Sequence, residues 1–89
     1  MKAIVTVVGK DRVGIIAGVC VKLAEYNVNV LDINQTVMQG FLTMMMATDV
    51  SACSIPLAEL VSCMEAVGKE VGLSIRVQRE DIFEAMHRI

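Results

Sequence analysis

The hydrophobic period switches repeatedly along this chain, and the order of the switches narrows the fold more than any single motif. "KAIVTVV" (2–8) is rich in β-branched residues and reads as a strand. Ile15, Ile16, Val19, Leu23 and Tyr26 then recur at spacings of three and four, which puts them on one face of a helix. Asn27 suits the left-handed position that ends helices. "VNVLDINQTVM" (28–38) is a second strand, with Leu31, Ile33 and Val37 on one face and Asp32, Asn34 and Thr36 on the other. Gln39-Gly40 makes a tight hairpin turn into a third strand, "FLTMMMATDV" (41–50). Pro56 starts a second helix, where a missing N–H costs nothing; its stripe is Leu57, Leu60, Val61, Met64, Val67 and Val71, and Gly72 ends it. "LSIRVQR" (73–79) alternates again, with Leu73, Ile75 and Val77 inward.

The resulting order is βαββαβ. Two β-α-β crossovers joined by a hairpin fold most simply into an α+β, ferredoxin-like sandwich: a four-stranded antiparallel sheet with both helices on one face, spanning residues 1–79. Beyond it, Ile82, Phe83, Met86 and Ile89 have helical spacing within "REDIFEAMHRI" (79–89), with Asp81 as an N-cap and Glu84 to Arg88 as an i,i+4 pair. Residues 80–89 therefore read as a short C-terminal helix. A helix of this length is marginal alone in water, so it must pack on its own sheet or on a partner subunit.

A chain of 89 residues buries only about 60–65% of its unfolded surface, which supports one core and one domain. Yet 55% of the residues are hydrophobic, more than one small core takes up, and self-association is the economical outlet. Lys10, Asp32 and Asp49 cut the apolar runs well short of the roughly 20 residues a membrane span needs. The N-terminus lacks the pattern of a signal peptide, so the expectation is a cytoplasmic protein with no membrane partner. The net charge of −2 is spread without blocks, leaving no electrostatic footprint for nucleic acid. Cys20, Cys53 and Cys63 are odd in number and contain no C-x-x-C pair, which argues against a disulfide framework and a structural zinc site. They read as small apolar residues in the core of a cytosolic protein.

The segment "VVGKDRVGII" (7–16) joins the first strand to the first helix and is the one turn that invites chemistry. It is not a P-loop, because Gly14 is followed by Ile15 and Ile16 and no Lys-Ser/Thr stands where phosphate binding wants it. General acid–base work wants converging groups, whereas His87 lies in the tail and the carboxylates are scattered, so no catalytic residue, metal site or cofactor is assigned. RNA binding on a ferredoxin-like sheet uses aromatic residues on the central strands, and only Phe41 is available. The three methionines in "TMMMAT" do not converge, since Met44 and Met46 point one way and Met45 the other; packing explains them. Without a ligand, Asp11 reads as an N-cap and Gly14 as a residue for close helix–sheet packing, which leaves Asn29, at the start of the next strand, unexplained.

"GKDRVGIIAGVCVKLAEYNVNVLDINQ" resembles the first half of an ACT domain, a small-ligand regulatory module found with many enzymes and regulators of amino-acid metabolism. The resemblance lies in the Asp/Asn-Arg-Pro-Gly-Val/Ile turn, the helix ending in Asn or Gly, and the Val-Asn-Ile strand. The tail "EDIFEAMHRI" is further similar to a family of stand-alone prokaryotic ACT proteins. In ligand-binding ACT domains the turn and the second strand contact an amino acid at a dimer interface. By motif position the resemblance implies a ligand-binding set of the turn residues Asp11, Arg12, Val13, Gly14 and Ile15, together with Asn29. Val13 stands where the commoner motif has Pro, which restores a backbone N–H. Two classes stay open: an amino-acid-responsive regulatory homodimer, and an ACT scaffold that binds no ligand and serves protein interaction.

Overall fold

The structure, a computed structural model, describes residues 1–10 and 13–81. Its six elements keep the expected order: β1 (Lys2–Lys10), α1 (Ile15–Glu25), β2 (Asn29–Met38), β3 (Phe41–Asp49), α2 (Leu57–Val71) and β4 (Ser74–Arg79). They form one four-stranded sheet in the order β2-β3-β1-β4, with every neighbouring pair antiparallel. This is the ferredoxin-like sandwich. β1 and β3 are central, and β2 and β4 are the two edges.

Alternation along the strands builds the core. Ala3, Val5 and Val7 of β1, Leu42, Met44 and Met46 of β3, and Ile75 and Val77 of β4 are buried on the face that meets the helices. Ile15, Val19 and Leu23 of α1 and Leu60 and Met64 of α2 complete it. The methionines therefore pack as expected, Met44 and Met46 within the core and Met45 on the opposite face. Thr48 is the one buried polar side chain among the described residues, and its hydroxyl donates to the Ala3 carbonyl at 2.8 Å. The bond satisfies a group whose burial would otherwise cost about 1–3 kcal/mol.

Backbone conformation places the turns. Gln39 and Gly40 both have positive φ, 51° and 80°, the geometry of a primed two-residue hairpin that matches the twist of β2 and β3. Asn27 takes the left-handed conformation just after α1, and its side-chain amide donates to the Ala52 carbonyl at 2.9 Å. The same loop is held from the other side by Ser54 N–H, which donates to the Tyr26 carbonyl at 2.9 Å. At α2 the sequence stripe omits a buried position, Gly68. A Cβ there would lie 2.6 Å from the Leu73 carbonyl oxygen, so the helix sits on the start of β4 as closely as only glycine permits.

Three expectations need correction. Pro56 is the N-cap of α2, with ψ 149°, and not its first helical residue; its ring still sets the entry angle and its missing N–H still costs nothing. The cysteines are half-buried at the margin of the core and not inside it; Cys20 and Cys53 pack against it from a helix flank and a loop. Asp81 is not an N-cap, because the backbone is already helical at Glu80 and the carboxylate pairs with Arg79 at 2.7 Å. The helix expected over the tail lies beyond this point, outside the described residues.

Candidate ligand site at the first turn and the edge strand

The turn between β1 and α1 ends in Gly14, which is the N-cap of α1 at φ 88°. Gly14 holds the N-cap position itself, and among the described residues no side chain caps the helix; Asp11 and Arg12, the former read as an N-cap, lie outside the described residues. The packing role expected for Gly14 also fails, since a Cβ built there meets nothing within 4 Å. Glycine is required by the left-handed backbone alone, which costs an L-residue about 1–2 kcal/mol. Gly18 N–H makes the first bond of the helix, to the Gly14 carbonyl at 2.9 Å. The N–H groups of Ile15, Ile16 and Ala17 are thereby left without an intrahelical acceptor, at the positive end of the helix.

That helix end faces the edge strand. A cleft of about 280 Å³ lies between Gly14–Ala17 and the distal half of β2, where Gln35 and Val37 form its far wall beside Leu42. Of the residues expected at a ligand site, the cleft brings together Gly14 and Ile15. It adds Ile16, Ala17, Gln35 and Val37, which the motif did not point to; the pairing of Gln35 with Met44 and of Val37 with Leu42 puts both on the helix side of the sheet. Val13 is fully exposed and lines a second, larger groove of about 760 Å³ between α1 and α2 that also begins at Gly14. No Cα of α1 comes within 8 Å of α2, which is why that groove is open.

Asn29 is elsewhere. It begins β2 opposite Asp49, which in turn faces Lys2 at the start of β1, so it stands at the other end of the sheet from the turn. The separation is roughly 27 Å, the length of β1 at about 3.4 Å per residue. Val28 is buried and Val30 half-buried, so Asn29 between them points to the face away from the helices. Within one chain the turn and Asn29 cannot touch the same small molecule.

Between them runs a bare edge. Among the described residues β2 pairs with β3 on one side only, with a register shift between Val30 and Asp32, and nearly its whole length is exposed. Leu31, Ile33 and Val37 are 48%, 41% and 51% exposed, an apolar row along an edge that no further strand pairs among the described residues, with Ile33 N–H donating to Asp32 Oδ1 at 2.9 Å. Soluble proteins rarely leave such an edge open to solvent.

These features define a small ferredoxin-like module with one open edge strand beside a glycine-capped turn. The chain belongs to the ACT domain family, whose profile matches residues 2–78. It is similar end to end to UPF0237 proteins: 47% identical to one from Listeria innocua and 49% to one from Clostridium acetobutylicum, each over 89 residues and all of both chains. Among solved structures it is similar to an ACT domain protein from Streptococcus pneumoniae, with 45% identity, 98% of both chains covered and a TM-score of 0.82. It shares its fold with part of a formyltetrahydrofolate deformylase from Pseudomonas syringae, at 20% identity and a TM-score of 0.78 over 88% of this chain and 27% of that one. Membership makes this chain a module of a regulatory, small-molecule-binding type.

Proposed function

We propose that this protein is a cytoplasmic regulatory module with no catalysis of its own, working as a homodimer that holds an amino acid between its subunits. One observation carries the reading: the turn and Asn29 lie at opposite ends of a bare edge strand. Antiparallel pairing of β2 with its copy across a two-fold axis satisfies the edge and reverses the strand, so that the turn of one subunit comes to the Asn29 end of the other. The N–H groups at the start of α1, which have no intrahelical acceptor, suit a carboxylate. Asp11 and Asn29 supply acceptors for an ammonium, and the cleft walls of Ile16 and Val37 suit a small side chain.

The second reading is an ACT scaffold without a ligand, and it too has an observation in its favour. Asn29 points to the face away from the helices while the cleft at Gly14 opens on the helix side. A thermal-shift screen of the standard amino acids separates the two. Binding at 100 times the dissociation constant stabilises the native state by about 2.7 kcal/mol, which moves the midpoint of a domain this size by roughly 10 °C or more. A shift for one or a few amino acids that Asn29→Ala removes supports the sensor. A dimer indifferent to all of them supports the scaffold.

A further inference from the structure

The helix-facing row of β2 is apolar except at one place. Cross-strand pairing puts Val30, Ile33, Gln35 and Val37 on that side of the sheet, opposite Thr48, Met46, Met44 and Leu42 of β3, all four of them buried. Asp32, Asn34 and Thr36 carry the strand's other polar groups on the opposite face, where alternation puts them. Gln35 breaks the row at a position that favours a β-branched residue. Neither the core nor the backbone accounts for it: Gln35 is exposed, and among the described residues no hydrogen bond engages its amide. Where it does stand is the cleft of about 280 Å³ at the start of α1. The rest of the described lining is glycine, alanine and branched aliphatic residues, so Gln35 is the one side chain among them that can hydrogen-bond. A small apolar cleft with one polar group is the usual make-up of a ligand pocket, in which that group fixes orientation and choice.

Resting on the reading that an amino acid is held at this cleft, we infer that Gln35 selects its side chain, taking an uncharged polar one, a hydroxyl or a carboxamide, over an aliphatic one of similar shape. A carboxamide both donates and accepts, so it matches a hydroxyl or a second carboxamide in either sense. Charge is selected against, because the described walls offer no charge to compensate an ion brought out of water. Size follows from the cleft, whose volume lies at the small end of ligand pockets. Register separates this role from that of Asn29. Gln35 pairs with Met44, and Met44 with Val7, in the half of the sheet next to the turn, whereas Asn29 pairs with Asp49 at the far end. In the proposed dimer Asn29 of the partner subunit is left to the ammonium, and Gln35 of the subunit that forms the cleft to the side chain.

The test is calorimetric titration of the full chain with four pairs of amino acids matched in shape: serine against alanine, threonine against valine, asparagine against leucine, and glutamine against methionine. The inference expects the polar member of at least one pair to bind roughly tenfold more tightly than its aliphatic match, the worth of one hydrogen bond. Gln35→Leu should bring that ratio to within about twofold or invert it, because the hydrogen bond is gone and the cleft is wholly apolar. Where Gln35→Leu does not fold, Gln35→Val, which suits a strand, repeats the measurement. Aliphatic members that bind the wild type as tightly as their polar matches overturn the inference and leave the amino-acid reading standing. A ratio that the substitution leaves in place does the same, as does an equal loss for both members, which marks a structural effect. Binding confined to charged or aromatic amino acids overturns it too. If no amino acid binds the wild type, the reading itself falls and this inference with it.

Discussion

Three glycines that look alike in the sequence have separate physical reasons, and alanine tells them apart. At Gly14 the space is open but φ is 88°, so Gly14→Ala should cost about 1–2 kcal/mol through backbone strain. At Gly68 the obstacle is the Leu73 carbonyl, so Gly68→Ala should destabilise by overpacking, worth about 1–3 kcal/mol, of which better helix propensity returns about 1. Gly18 has neither constraint, and Gly18→Ala should stabilise by up to about 1 kcal/mol. Urea unfolding of the three variants checks the order. Asp49 gives a prediction of another kind: hydrogen bonding from the Ser51 hydroxyl first, then from Ser51 N–H at 2.9 Å, with the N-terminal ammonium 3.8 Å away, holds its carboxyl below the usual carboxylate range. A depressed value means a contribution present above the unfolded-state value and lost as pH falls through the folded one. Asp49→Asn should therefore flatten the acid limb of the curve of melting temperature against pH and leave the alkaline limb in place.

At the scale of elements, period and punctuation in the sequence are enough to read all six. They fail where an element's environment is set by something distant. The stripe of α2 reads as Leu and Val, and Gly68 is invisible there because its reason is a carbonyl on the next strand. Gln35 and Val37 lie in a well-read strand, yet nothing local says that the start of α1 faces them across a cleft. The motif gives Gly14 and Asn29 but not the length of sheet between them, which comes only from strand order and register. The same edge supplies the test at this scale. Because Ile33 is 41% exposed, Ile33→Lys should leave the folded subunit nearly as stable in urea, within the roughly 0.5 kcal/mol of ordinary surface changes. It should shift the proposed dimer to monomer in sedimentation at micromolar concentration. An unchanged dimer would move the interface away from β2.

For the whole molecule, the proposed site is shared between subunits, each giving its turn to one site and its Asn29 to the other. Such a site can be broken in two ways and repaired by mixing. Asp11→Ala and Asn29→Ala homodimers should each bind nothing, since every site lacks one partner. After unfolding and refolding together, half of the dimers are mixed. In each mixed dimer one site carries both substitutions and the other carries neither. Calorimetric titration of the mixture, with the amino acid that most stabilises the wild type, should recover binding at wild-type affinity in roughly one site in four. Mixed dimers that form and bind nothing would contradict a site built between subunits.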